Sequence, residues 1–167
     1  MSGANGRARR IALGHEDATA VFFVDTNLLV YALDSVNSAK QHHARAWLDY
    51  LWSKGNGRVS WQVLHEFYWN ATRKIGAPVE IAQDFVRELS HWAPVDSSLG
   101  LITEAWGWCQ QAQLAYWDGL IVAAAERCAA GYLLSEDLQA GRRFDQCTVL
   151  NPFRTPPPAS GLSGTSP

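Results

Sequence analysis

Short unbroken apolar runs that end at an acid or a turn alternate with long stretches of helical period, and this alternation limits the fold more than any other feature. Val21-Phe22-Phe23-Val24 is β-branched and aromatic at consecutive positions and stops at Asp25. A run without polar alternation predicts a strand buried on both faces, as in a parallel sheet between helical layers. Tyr132-Leu133-Leu134-Ser135 and Thr148-Val149-Leu150 read the same way, and Arg58-Val59-Ser60 is a minimal strand. Leu28 to Leu33 opens a helix, and Ser38 is placed to cap a second that runs to about Ser53, before Gly55-Asn56-Gly57. Trp61 to Lys74 carries Val63, Leu64, Phe67, Tyr68 and Ala71 at helical spacing, and Val79 to His91 carries Ile81, Ala82, Phe85, Val86 and Leu89 on one face. Ser98 to Ala115 and Asp118 to Ala130 complete the helices, the last closed by Gly131 as a left-handed cap. The order predicts an α/β fold, with a central, mostly parallel sheet between helical layers.

Its 167 residues, 47% of them apolar, suit one domain with a core that needs no disulfide or metal to fold. Residues 1–19 carry no apolar period and read as a flexible leader; residues 154–167 contain Pro156-Pro157-Pro158 and read as a disordered tail, leaving 20–153 as the folded unit. Arg7, Arg9 and Arg10 resemble the start of a signal peptide, but Gly14-His15-Glu16-Asp17 follows instead of an apolar stretch. No run approaches the length of a membrane helix, so a cytoplasmic protein without membrane contact is expected. Cys109, Cys128 and Cys147 form no C-x-x-C pair, which excludes a zinc site and a disulfide framework. A net charge of -2 excludes binding of nucleic acid by bulk positive charge, though not by a local groove.

Ligands of open α/β sheets bind beyond the carboxyl ends of the strands. Asp25 directly follows the first strand, and Asp137 lies two residues after Ser135. Asp118 opens a long apolar helix, and Glu66 sits inside another with Asn70 on the same face. Taken singly, each has a plain structural role: Asp25 and Asp118 as helix caps, Asp137 as a turn residue, Glu66 as a solvated helix position. Taken together, four acids are costly to gather without a counter-charge. A hard divalent cation supplies it, and an all-carboxylate pocket suits Mg²⁺ or Mn²⁺. The chemistry such a pocket serves is phosphodiester hydrolysis.

Four ordered segments carry a family resemblance over about Val21 to Phe153. Val24-Asp25-Thr26-Asn27-Leu28-Leu29-Val30-Tyr31-Ala32 resembles the opening motif of the PIN-domain nucleases. Ser60-Trp61-Gln62-Val63-Leu64-His65-Glu66-Phe67 is similar to their second acidic motif, and Tyr116-Trp117-Asp118-Gly119-Leu120-Ile121-Val122-Ala123 to their third. Leu134-Ser135-Glu136-Asp137-Leu138-Gln139, with Asn151-Pro152-Phe153, is similar to the fourth acid and closing strand. Within the family the chain most resembles the VapC-type ribonuclease toxins of toxin–antitoxin pairs. The resemblance implies a PIN-like three-layer α/β/α sandwich. It implies Asp25, Glu66, Asp118 and Asp137 as metal-binding catalytic acids, with Thr26, Asn27 and Ser135 beside them. Glu136 adjoins Asp137 and is a competing ligand. Gly119 stands where many relatives have Ala.

The resemblance further implies a metal-dependent endoribonuclease of two-metal type, using Mg²⁺ or Mn²⁺ and acting on single-stranded or loop RNA to leave a 5′ phosphate and a 3′ hydroxyl. Lys40, Arg45, Arg73 and Lys74 are candidate RNA cations, and Arg142 and Arg143, after the fourth acid, are the foremost. The partners it implies are a cognate antitoxin and a second copy of the chain. Ala46, Trp47, Tyr50, Leu51 and Trp52 make one helix apolar around more than one stripe. Either two-sided core packing or an antitoxin groove on Trp47, Tyr50, Leu51 and Trp52 accounts for it. A non-catalytic PIN-like module that binds RNA or protein is the alternative function. A His-based ribonuclease is disfavoured, because adjacent His42 and His43 diverge on a helix.

Overall fold

The apolar run after Val21 becomes the centre of the sheet. In a computed structural model describing residues 12–159, β1 (Phe22–Val24) pairs in parallel with β2 (Gly57–Arg58) on one side and β3 (Tyr132–Leu134) on the other. A two-residue strand, β4 (Arg143–Phe144), runs antiparallel to β5 (Cys147–Leu150), which is itself parallel to β3. The order is β2-β1-β3-β5-β4. Successive residues of a strand point to opposite faces, and Phe22, Phe23 and Val24 are all fully buried. Both faces of the sheet are therefore covered, which gives the expected three layers. Among the described residues no helix is long and apolar enough to cross a membrane.

The helices follow from their caps. Asp25 caps α1 (Thr26–Leu33), and Asn37, not Ser38, caps α2 (Ser38–Lys54) by accepting from the Lys40 amide. Gly55 ends α2 at φ 67°, a left-handed conformation that Gly adopts without strain. Ser60 caps α3 (Trp61–Arg73), which packs on α4 (Val79–Leu89). Ser98 caps α5 (Leu99–Ala112), and α6 (Tyr116–Arg127) begins after Ala115. Asp118 thus lies in the first turn of α6 and is not its cap. Nor does Gly131 supply the left-handed residue after α6; Ala129 does, at φ 52°. The chain must turn there so that the Gly131 amide can donate to the Val21 carbonyl and enter β3.

Both expected termini of the folded unit move outward. His15–Thr19 form a 3-10 helix; the Tyr132 hydroxyl donates to Asp17 Oδ1 at 2.6 Å, and the Asn56 amide donates to the Ala20 carbonyl at 2.8 Å. At the other end, the Trp47 indole N–H donates to the carbonyls of Pro152 (3.2 Å) and Thr155 (2.9 Å), and Thr155 is buried. Residues 1–11 and 160–167, the remainder of the expected leader and tail, lie outside the described residues.

The breadth of apolar surface on α2 is explained by burial on the sheet. Trp47 and Leu51 are fully buried and Tyr50 nearly so, with the Phe22 ring 5.3 Å from Trp47 and 6.1 Å from Tyr50. These three side chains offer no surface to an antitoxin. Trp52 alone of the expected set reaches solvent, at 42% exposure, with its ring 4.9 Å from that of Trp92.

α5 and α6 pack closely because Gly119 has no side chain. A Cβ there would stand 2.8 Å from the Ala105 carbonyl oxygen and 2.9 Å from Cys109 Sγ. Gly119→Ala gains about 1 kcal/mol of helix propensity, but the overpacking costs about 1–3 kcal/mol. The expected outcome is a net loss in urea unfolding. Adding Cys109→Ala does not restore it, since the Ala105 clash is with backbone.

Candidate active site

β1 continues in sequence to β2 on one side, while its other neighbour, β3, comes much later in the chain. This reversal opens a crevice at the carboxyl ends of β1 and β3. Asp25 leaves the end of β1 and Asp137 follows β3, so both stand at that crevice. α3 brings Glu66 to it and α6 brings Asp118. The four carboxylates line one cleft of about 350 Å³, together with Thr26, Asn27, Gln62, Asn70, Trp117 and Ile121.

Each acid except Asp118 is held by neutral donors. Asp25 Oδ1 accepts from the Thr26 amide and Oδ2 from the Ser135 hydroxyl, both at 2.7 Å. Thr26 also donates its hydroxyl to Glu66 Oε2 at 3.0 Å, joining the first acid to the second, and Gln62 donates to Glu66 Oε1 at 2.9 Å. The Asn27 amide donates to Asp137 Oδ2 at 2.6 Å. Thr26 and Asn27 therefore tie Glu66, Asp25 and Asp137 together within the cleft wall, and Ser135 holds Asp25 from outside it. Gln62, Glu66 and Asn70 recur every four residues and make a polar stripe along α3. Gln62 escaped the sequence reading because its role depends on Glu66 facing the cleft.

Burial pushes the Asp25 carboxyl up to about 6; the hydrogen bonds from Ser135 and Thr26 oppose the rise, and the charges of Asp137 and Glu66 add to it. Asp118 is raised too, first by burial, then by Asp137 and Glu66. The acids thus feel one another, and among the described residues no Lys, Arg or His lines the cleft to compensate them.

Among the described residues no three His, Cys, Asp or Glu side chains stand in a closed coordinating arrangement. The donor set nevertheless fits a hard divalent cation: four carboxylates and, among the described lining residues, no imidazole, thiolate or cationic side chain.

Three expected contacts fall elsewhere. Glu136 turns away from the cleft and pairs with Lys40 Nζ at 2.5 Å; Lys40 also donates to the Tyr31 hydroxyl at 3.1 Å. Glu136 is thus committed to Lys40, leaving Asp137 as the acid of this turn in the cleft. Arg142 donates to the Ala112 carbonyl at the end of α5 and rests 4.9 Å over the Phe144 ring. Arg143 is exposed on edge strand β4 and donates to the Asp145 carbonyl at 3.3 Å. Neither arginine lines the cleft, because the edge hairpin and the end of α5 engage them. His42, His43, His65 and His91 are absent from its walls as well.

Residues 22–143 match the PIN domain, and the chain belongs to the PIN-domain family. The crystal structure of Mycobacterium tuberculosis VapC20, described as a sarcin-ricin loop cleaving toxin, shares its fold. The TM-score is 0.53 at 17% sequence identity, covering 70% of this chain and 89% of that one. No curated protein matches the chain in sequence.

Proposed function

We propose that this PIN-domain protein is a divalent-cation-dependent endoribonuclease and the toxin of a toxin–antitoxin pair. The observation that carries the reading is the gathering of Asp25, Glu66, Asp118 and Asp137, from four separate elements, around one cleft whose walls hold no cation among the described residues. Those four residues would hold Mg²⁺ or Mn²⁺, which when bound supplies a polarised water and offsets charge on the leaving oxygen. Thr26, Asn27 and Ser135 keep the carboxylates aimed into the cleft. The retention of all four acids favours this reading over a non-catalytic binding module. The VapC-like fold and the four sequence motifs support the toxin role, and with it a cytoplasmic location, an antitoxin partner and a homodimer. Cleavage of single-stranded RNA titrated with Mg²⁺ and Mn²⁺ tests it. Cleavage that persists in chelator and in Asp25→Asn overturns it.

Trp117 forms an aromatic wall of the same cleft. It is 62% exposed, with the Tyr116 ring 5.4 Å away and edge-on. The exposed indole gives the cleft affinity for an unpaired base by stacking, worth about 1–3 kcal/mol per base. Trp117→Ala is therefore expected to raise KM for single-stranded RNA roughly tenfold with little change in kcat, while Trp117→Phe retains most of the affinity. Steady-state kinetics on a single-stranded substrate measure both.

A further inference from the structure

A second cavity, of about 520 Å³, adjoins the acid cleft across a single peptide step: Glu136 lines the one and Asp137 the other. Lys40 and His43 reach it from α2, and Asn151, Phe153 and Arg154 from the segment after β5. Its chemistry is the reverse of the cleft's. Three basic side chains meet there, and the one carboxylate, Glu136, is already neutralised by Lys40. The Arg154 backbone N–H donates to the Asn151 carbonyl at 3.1 Å, while its side chain is exposed and, among the described residues, makes no hydrogen bond or ion pair. The Lys40 ammonium stands 4.3 Å from the Tyr31 ring centre and 5.1 Å from that of Phe153, so the cationic wall is backed by aromatic surface. Asn151 Oδ1 accepts from the Phe153 amide at 2.9 Å, which leaves its amide nitrogen as a further donor.

An RNA strand is a polyanion, and four carboxylates in the cleft repel the phosphates that flank the one being cut. Affinity for those neighbours has to come from cations close to the cleft but outside it. We infer that the second cavity is a phosphate subsite for the RNA, in which Arg154 and His43 hold a backbone phosphate next to the scissile one and Phe153 lies against the sugar or base. The inference rests on the ribonuclease reading for the identity of the polyanion, and it extends the binding surface from α6 across the 136–137 turn to α2.

The test is equilibrium binding of a labelled single-stranded oligoribonucleotide to the full chain carrying Asp25→Asn, which keeps the RNA intact, measured over a range of salt. Adding Arg154→Gln is expected to raise Kd roughly three- to tenfold and to reduce the slope of log K against log salt by about 0.7. His43→Gln removes a ring N–H at the cavity wall and is expected to raise Kd as well. Arg87→Gln, on α4 and paired with Asp84, lines neither cavity and serves as the control that leaves both quantities in place. Arg154 is exposed, so its variant keeps the fold. An unchanged Kd and slope in Arg154→Gln overturns the subsite, as does an equal effect from Arg87→Gln. The two readings fail separately. Wild-type cleavage with no effect of Arg154 removes the subsite alone; Arg154-dependent binding without wild-type cleavage removes the nuclease alone.

Discussion

On the ribonuclease reading, Asp25→Asn is expected to lower RNA cleavage by at least about 100-fold and at the same time to make the metal-free protein more stable at neutral pH. The two effects share a cause. The Asp25 carboxyl sits half-buried beside Asp137 and Glu66, and its folded-state value is raised from 3.8 to about 6. Between those values the folded protein binds more protons than the unfolded chain, so stability falls as pH rises through the window. Above it the ionised carboxylate costs the apo fold about 1–3 kcal/mol. Asn keeps the shape and carries no charge; its one oxygen accepts from the Thr26 amide, and its NH2 then faces the Ser135 hydroxyl oxygen, which turns to accept. Urea unfolding in chelator at about pH 4 and about pH 8 measures the difference. The variant is expected to gain over wild type only at the higher pH. Adding Mg²⁺ then narrows or reverses the gap, because an ion that binds only the folded wild type stabilises it. A gain of equal size at both pH values would show that the charge of Asp25 is not its source.

Trp47→Ala is expected to lower stability by about 3–5 kcal/mol, which is a fall in Tm on the order of 10 °C for a domain of this size. The indole is fully buried against Phe22 and Tyr50. Its N–H also ties the carbonyls of Pro152 and Thr155 to α2, so truncation releases the segment after β5 as well as opening a cavity. Trp52→Ala, on the half-exposed neighbour, is expected to cost about 1 kcal/mol. Thermal unfolding of the two variants separates a core role from a surface role. Weakened antitoxin binding by Trp47→Ala alone would follow from loss of fold and would not mark a contact.

The strand architecture was readable because its signal is local. Consecutive β-branched and aromatic residues ending at an acid describe a buried parallel strand, and they place Asp25 at its carboxyl end before any fold is known. Glu66 and Asp118 were less so. Each has an ordinary helical role, and only the ordered motifs of the PIN resemblance joined them to Asp25. The pattern of α2 was ambiguous: a broad apolar surface suits both a buried helix and a groove, and the partners that decide it lie about a hundred residues away. Glu136 and Asp137 could not be ranked from their own neighbourhood either. Lys40, 96 residues earlier, takes the first and leaves the second to the cleft. β4 is too short to leave a periodic trace, and Arg142 gives no local sign that it will bind the end of α5.

The sequence by itself determined the layered α/β plan and the acids available for chemistry, because burial on two faces and helical period are written in neighbouring residues. Only the tertiary structure decided which acids share a cleft, which cations are already paired, and which aromatics stay in water. Those outcomes depend on contacts between distant segments, where charge, hydrogen bonding and packing are settled together.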